Sequence, residues 1–141
     1  MKIKIKKTHS EAQIPKYAKQ GDAGMDLTAV SAKLEGAYIE YDTGLQFEIP
    51  AGFVGLLFPR SSLSKIDLLL SNHVGVLDSG YRGNVTFRFK PTHNSDFLKW
   101  YKVGDRIGQI IILPYPQIEF QEVNELSESE RGSGGYGSTG K

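Results

Sequence analysis

The chain has 141 residues, the length of one ordinary domain with a core of its own. Its 17 basic and 16 acidic residues give a formal net charge of +1, so no global field attracts nucleic acid or a membrane, and neither partner is expected. Cysteine is absent, which excludes disulfides, thiolate metal ligands and a cysteine nucleophile and favours a cytoplasmic location.

Short runs of alternating apolar residues predict half-buried strands along the chain. The first lies at the N-terminus, where lysines alternate with Ile3 and Ile5 and no continuous apolar run follows. We expect a strand there, and neither a signal peptide nor a membrane-spanning helix. The same alternation recurs at Leu45, Phe47 and Ile49 and at Val85, Phe87 and Phe89.

Two more continuous apolar runs, Phe53 to Phe58 and Ile107 to Leu113, predict strands that are covered on both faces or buried between subunits. Turn residues separate the runs at short intervals, at Gly36, 42–44, 50–52, 79–80, Pro91 and 103–105. No long amphipathic pattern competes with them. The sequence therefore predicts an all-β sandwich, barrel or jelly roll.

An arginine and two hydroxyl residues follow the first of these apolar runs. We predict one or two helical turns from Ser61 to Ile66, with Ser61 or Ser62 capping the first amides. Arg60, the hydroxyls and free helix amides would together form an anion site. Taken alone, the segment is more typical of a surface arginine beside a helix N-cap.

Two carboxylates lie close to a glycine in the segment 22–26. Because Mg²⁺ prefers carboxylates together with waters and substrate phosphate, Asp22 and Asp26 could form an outer-sphere magnesium site. A simple turn is an equally good interpretation of the segment in isolation.

The segment Gly75–Gly83 is the most informative block. It predicts a β-hairpin around a tight Ser79-Gly80 turn, with bare backbone at the flanking glycines against which a flat base could lie. Asp78 in this turn is placed to act as a general base. A plain hairpin with a turn-stabilising aspartate is a common alternative.

The last stretch of the chain has few large apolar side chains and many glycines. We therefore divide the chain into a β-domain, residues 1–124, and a flexible arm, residues 125–141, that orders only when something binds. Glycine motifs typical of dinucleotide sites occur in this arm by accident, since no strand precedes them and no helix follows. One arginine, one aromatic ring and two hydroxyls could still wrap a nucleotide.

Together, the order and spacing of five blocks resemble the signature motifs of the trimeric dUTPase family. The blocks are 22–27, 59–63, 72–83, 104–109 and 131–140, and residues 14–18 resemble the family's lead into the first block. The resemblance implies the β-clip, jelly-roll-like dUTPase fold with one short helix, assembled as a homotrimer with shared sites. It also implies Mg²⁺-assisted hydrolysis of dUTP to dUMP and pyrophosphate, which limits uracil in DNA and supplies dUMP for dTMP synthesis.

The resemblance further implies a role for each site residue. Asp78 would activate the attacking water, and Asp26 would reach Mg²⁺ through water while the triphosphate holds the metal. The arm of a neighbouring subunit would close the site, with Asp105 orienting Arg131. The implied substrate-binding residues are Arg60, Ser61, Ser62, Asn72, Gly75, Val76, Leu77, Tyr81, Gln109, Arg131, Gly135, Tyr136, Gly137 and Ser138.

Four positions depart from the family pattern. Tyr136 stands where phenylalanine or histidine is usual, His73-Val74 where serine-proline is usual, Gly108 replaces alanine and Asn84 replaces glutamate. None of these changes removes a group with a chemical role, although His73-Val74 adjoins the base-reading Asn72.

Two rival functions remain open on the sequence. A dCTP deaminase of the same fold would need a glutamate in the strand after the hairpin, where this chain has Arg88. A dUTP-sensing interaction protein would keep nucleotide binding and use the ordered arm to signal to a partner. An intact Asp78 argues against a purely binding role.

Overall fold

A computed structural model of the chain describes residues 1–92 and 99–135. These residues form an all-β fold with one short 3₁₀ helix, Ser61–Lys65. The strands are β1 (Lys4–Lys7), β2 (Met25–Thr28), β3 (Ser31–Glu35), β4 (Tyr38–Asp42), β5 (Leu45–Glu48), β6 (Phe53–Phe58), β7 (Leu68–Leu70), β8 (Gly75–Leu77), β9 (Thr86–Pro91) and β10 (Arg106–Pro114). No helix in these two ranges is long and apolar enough to cross a membrane.

The strands form three antiparallel sheets. One four-stranded sheet has the order β2-β10-β6-β8, a second has the order β3-β4-β9-β7, and β1 pairs with β5 in a two-stranded sheet. Neighbours in these sheets are often distant in sequence, since β10 lies between β2 and β6 and β9 lies between β4 and β7. This topology brings the sequence blocks together from distant parts of the chain.

The core is a single cluster of apolar side chains contributed by all three sheets. Alternate residues of β9 point inward, because Phe87 and Phe89 are buried while Arg88 between them is exposed. The ring of Phe89 packs edge-on against Tyr41 with centroids 5.9 Å apart and stacks on Phe87 at 6.2 Å. This packing holds β4 and β9 together in the core.

Several predicted strands are confirmed. The N-terminal strand exists as β1, the alternating run at Leu45 to Ile49 includes β5, and the run at Val85 to Phe89 includes β9. The continuous run Phe53 to Phe58 coincides with β6, and Ile107 to Leu113 lies within β10. Both are central strands of their sheet.

The predicted cap of the short helix is wrong. The helix is a single 3₁₀ segment whose N-cap is Arg60, and no side chain caps it. Its first turn closes through the backbone, where the amide of Leu63 donates to the carbonyl of Arg60 at 2.9 Å. The Ser64 hydroxyl donates to the carbonyl of Ser61 at 2.9 Å. It therefore binds a carbonyl and not one of the first helix amides, which Ser61 or Ser62 was predicted to cap.

The predicted hairpin at Gly75–Gly83 is also wrong. The turn exists, with the amide of Tyr81 donating to the carbonyl of Asp78 at 3.0 Å. However, β8 before the turn pairs with β6, whereas β9 after it pairs with β4 and β7 in the other sheet. The segment crosses from one sheet to the other, and its two arms form no ladder with each other. Turn residues predict a reversal but not which strands pair across it.

Candidate active site

Asp26 is the centre of a charged cluster at the end of the β2-β10-β6-β8 sheet. Its Oδ1 accepts a hydrogen bond from Nε of Arg60 at 2.9 Å, and its Oδ2 accepts one from Nη1 of Arg106 at 2.9 Å. Asp26 and Arg60 each retain only 26% of their side-chain exposure. A half-buried carboxylate between two guanidinium groups leaves a net positive charge, which favours an anionic ligand.

Arg60 keeps free donors in this arrangement. A guanidinium has five N–H groups, and here one binds Asp26 and another reaches the hydroxyl of Ser62 at 3.3 Å. The remaining donors can bind phosphate oxygens while Asp26 holds the group in place. Ser61 is exposed and Ser62 half-buried at the start of the adjoining 3₁₀ helix.

Gln109 lies beside this cluster because of strand register. In β10 it is paired with Asp26 of β2 on one side and with Phe58 of β6 on the other. Its Nε2 donates to the carbonyl of Pro59 at 3.2 Å, and its amide oxygen packs against bare backbone at Gly24. Gln109 therefore spans the two segments that carry Asp26 and Arg60.

Two open cavities border the cluster. One, of about 410 Å³, is lined by Asp22, Gly24, Asp26 and Gln109 together with Lys16. The other, of about 350 Å³, is lined by Arg60, Ser62, Lys65, Tyr101, Asp105 and Arg106, among others. Each is large enough for a phosphate chain and carries at least one cationic side chain.

A second group of predicted residues lies along β8 and its turn. Gly75 and Leu77 are buried, whereas Val76 is 64% exposed and Asp78 is exposed. Gly75 packs against Leu57, where a side chain would crowd both Leu57 and Asn72. Asn72 itself is exposed in the loop before β8, and its neighbour His73 has a left-handed backbone with φ 58°.

The Arg82 side chain holds the turn after β8 by binding its backbone carbonyls. Nη1 of Arg82 donates to the carbonyls of Ser79 at 2.7 Å and Tyr81 at 2.8 Å. Gly83 leaves space for the Tyr81 ring, because a side chain at Gly83 would collide with it. Asp78 is therefore an exposed carboxylate on a well-braced turn.

The two groups do not meet within one chain. Leu77 pairs with Gly55, which precedes Arg60 by five positions, and β8 runs antiparallel to β6. At about 3.3 Å per residue, Arg60 therefore lies about 16 Å from the position opposite Leu77. Asp78 continues in the direction away from Arg60. The register of β6 and β8 therefore places Arg60 and Asp78 toward opposite ends of β6 within one chain.

The residues predicted for the arm are only partly described. Nε of Arg131 donates to the carbonyl of Gly134 at 3.0 Å, and Gly135 is half-buried. Oδ2 of Asp105 accepts from the amide of Lys102 at 2.7 Å, and Asp105 forms no hydrogen bond or ion pair with Arg131 of the same chain. Tyr136, Gly137 and Ser138 lie outside the described residues.

Sequence reasoning assigned no role to two residues of the site. Arg106 was part of a recognised block, yet its pairing with Asp26 depends on the β2–β10 register. Asn84 was noted only as a departure, yet its side chain bonds to three others. Both signals lie in contacts between segments that are distant along the chain, which a single sequence does not show.

An all-β protein with a cationic cluster suited to a phosphate-bearing ligand is the class that this fold and this site define. Comparisons with known proteins identify the family within this class. A model of the dUTPase family matches residues 10–140, and the deoxyuridine 5'-triphosphate nucleotidohydrolase of Nautilia profundicola is 42% identical, with 100% of each chain covered. The chain therefore belongs to the dUTPase family, the dUTP diphosphatases.

Solved structures agree with this assignment. The dUTPase of Staphylococcus bacteriophage 80alpha with dUPNHPP, a dUTP analogue, matches with a TM-score of 0.82 at 29% identity, with 99% of each chain covered. A mutant dUTPase from phage phi11 of S. aureus that coordinates a structural Mg(II) ion matches with a TM-score of 0.73 at 25% identity, with 89% of this chain and 98% of that chain covered. Membership of the dUTPase family argues against the rival function, a dCTP deaminase. Arg88, which stands where that enzyme would need a glutamate, forms an ion pair with Glu40 at 2.7 Å on the outer face of β9.

Proposed function

We propose that the chain hydrolyses dUTP to dUMP and pyrophosphate by in-line attack of water on the α-phosphorus. Asp78 accepts a proton from the water as its oxygen bonds to the α-phosphorus. The bond from the α-phosphorus to the bridging oxygen breaks, and pyrophosphate leaves with the electron pair. A general base contributes about 10² to 10⁴ in rate, so positioning and electrostatics supply the remainder.

The proposed phosphate-binding groups are those of the charged cluster. The free donors of Arg60 and the hydroxyls of Ser61 and Ser62 would hold phosphate oxygens, with the amide of Gln109 beside them. What supports this role is the clamp of Asp26 between Arg60 and Arg106, each 2.9 Å away, which fixes the Arg60 guanidinium before substrate arrives.

Asp26 fits the proposed magnesium site through water. Each of its carboxylate oxygens accepts one hydrogen bond from an arginine, and each retains a lone pair for a metal-bound water. Within residues 1–92 and 99–135 no group of three or more His, Cys, Asp or Glu residues could hold a metal ion directly. This agrees with a metal held mainly by the triphosphate, where it would disperse negative charge on the phosphates.

The separation of Asp78 and Arg60 within one chain supports a homotrimer with sites shared between subunits. Because Asp78 and Arg60 lie at opposite ends of β6, one site needs Asp78 from one subunit and Arg60 from another. The chain also exposes apolar side chains after β10, with Ile118 at 70% and Phe120 at 92% exposure, which is typical of a surface that a second copy covers. A closed ring of three copies would complete three equivalent sites.

The uracil and deoxyribose would lie along Gly75, Val76 and Leu77, with Asn72 reading the base and Tyr81 packing under the sugar. The Tyr81 ring would leave no room for a ribose 2′-hydroxyl. The arm of a neighbouring subunit, including Arg131, Gly135, Tyr136, Gly137 and Ser138, would then exclude bulk water from the site. A cytoplasmic location suits this role, and a dUTP-sensing role remains a separate hypothesis.

Pyrophosphate release tests the proposal directly. The assay compares dUTP, dCTP, dTTP and UTP, with Mg²⁺ present or chelated, for wild type and Asp78→Asn. We expect activity on dUTP alone, lost on chelation, and a fall in kcat of about 10² to 10⁴ for Asp78→Asn with the assembly intact.

The matched control is Glu48→Gln, which removes another exposed carboxylate from a cavity that also contains Ser79 and Gly80. It should leave kcat unchanged. Equal hydrolysis of all four nucleotides would refute the base and sugar selectivity, and an undiminished Asp78→Asn enzyme would refute the general base.

A further inference from the structure

We infer that Asn84 is a positioning residue for sugar selectivity, acting through the Tyr81 ring. The inference rests on the proposed function, in which Tyr81 packs under the deoxyribose. It assigns the selectivity for deoxyribose to a side-chain network behind Tyr81 as well as to the ring itself.

The Tyr81 ring is held at two points. Its hydroxyl donates to the backbone carbonyl of Asn84 at 3.1 Å, and the hydroxyl end of the ring packs against the bare backbone of Gly83. Tyr81 is nevertheless 46% exposed, so packing alone does not fix the ring. The position of the Asn84 backbone therefore determines where the Tyr81 hydroxyl lies.

The Asn84 side chain connects this position to three other segments. Its Oδ1 accepts hydrogen bonds from the Thr8 hydroxyl at 3.1 Å and from Nε2 of Gln46 at 3.1 Å. Its Nδ2 donates to Oδ2 of Asp42 at 2.8 Å. Asp42 is itself fixed, because its Oδ1 accepts from the amide of Gly44 at 2.6 Å.

These contacts tie the turn to the end of β4, to β5 and to the loop after β1. The next residue, Val85, is equally constrained, since its amide donates to Leu45 at 2.9 Å and its carbonyl accepts from the Thr43 hydroxyl at 2.8 Å. The base of the turn is thus rigid on both sides of the Tyr81 contact, which is the arrangement that holds a selective group in place.

The chemistry of the network requires an amide at position 84. One end of the side chain accepts two hydrogen bonds while the other donates to a carboxylate, and only an amide of this length does both. An aspartate at position 84 has the same size but turns a carboxylate toward that of Asp42. The repulsion would move the segment that carries the Tyr81 contact.

The test compares kcat/KM for dUTP and UTP in Asn84→Asp, Asp42→Asn and the double variant D42N/N84D. The double variant exchanges amide and carboxylate, so all four hydrogen bonds can form again. We expect each single variant to lower the preference for dUTP over UTP about 10-fold. The double variant should recover most of that loss.

Three comparisons make the outcome decisive. Glu40→Gln, the same chemical change two positions before Asp42 in β4, should leave the preference unchanged. Single variants that lose thermal stability but keep the wild-type preference would overturn the inference, as would a double variant with no recovery. If Asn84→Asp does not fold, Asp42→Asn and the double variant give the same comparison.

Tyr81→Ala separates this inference from the proposed function. If Tyr81→Ala keeps the full preference for dUTP, the role of Tyr81 itself is wrong. If Tyr81→Ala loses the preference while Asn84→Asp and Asp42→Asn keep it, only the role of Asn84 is wrong.

Discussion

Glycine at position 24 leaves the space that the Gln109 amide occupies. A side chain at Gly24 would collide with the amide oxygen of Gln109, which is the mobile end of a flexible side chain. We therefore expect Gly24→Ala to displace that amide with little loss of stability, within about 0.5 kcal/mol. The KM for dUTP should rise about 10-fold as a phosphate contact is lost.

Steady-state kinetics and thermal denaturation of Gly24→Ala check this expectation, and Gln109→Ala provides the control. If Gly24 acts through Gln109, adding Gly24→Ala to the Gln109→Ala enzyme should change KM little further. Fully additive effects of the two substitutions would show that Gly24 acts in another way.

At the level of single residues, the sequence predicted which residues lie together but not how their side chains pair. Asp26, Arg60, Ser62 and Gln109 were all predicted, and the structure brings them together. The pairing of Asp26 with two arginines was not predicted, because it depends on where β2 pairs with β10. A carboxylate near a glycine is equally typical of a metal ligand and of a turn. Only the side chains that surround it in the folded protein distinguish the two interpretations.

Among the elements, the strands with strong apolar alternation were predictable and the others were not. β9 and β5 carry buried side chains at every second position, so the period of two is visible. β3 reads Ser-Ala-Lys-Leu-Glu and is almost entirely exposed, so it carries no such pattern. It is a strand because it pairs with β4 through a turn at Gly36, which has φ 56°.

Strand β4 also contains a buried ionisable group, Tyr41. Only 1% of Tyr41 is exposed, and its hydroxyl donates to the carbonyl of Tyr101 at 2.9 Å. Burial raises the pKa of Tyr41 to about 12, with smaller contributions from Asp105 and Tyr101. Because the pKa of Tyr41 is higher in the folded state than in the unfolded state, the neutral hydroxyl favours folding. Its full contribution to the free energy of unfolding is present below pH 10 and is lost as the pH rises toward 12.

We expect Tyr41→Phe to lower the free energy of unfolding at pH 7 by about 1 kcal/mol, since it removes one hydrogen bond. Above pH 10 the variant should lose stability less steeply than wild type, because it no longer carries the raised pKa. Urea denaturation of both proteins between neutral and alkaline pH measures this. Parallel curves for the two proteins would contradict it.

Across the whole molecule, the resemblance to the dUTPase family predicts that the five blocks form one site, and the structure shows which of them lie together in a single chain. The blocks that contain Asp26, Arg60 and Gln109 meet at one end of a sheet. The block that contains Asp78 lies at the other end of β6. No sequence pattern contains this separation, because it arises from the antiparallel register of β6 and β8.

We propose that each site takes Asp78 from one chain and the phosphate-binding cluster from another. Co-expression of Asp78→Asn and Arg60→Gln subunits, each inactive alone, tests it by dUTP turnover of the purified mixed assembly. Random mixing leaves about a quarter of the sites with both groups intact, so about a quarter of wild-type activity should return. A mixed assembly that remains as inactive as its parents would contradict the shared site.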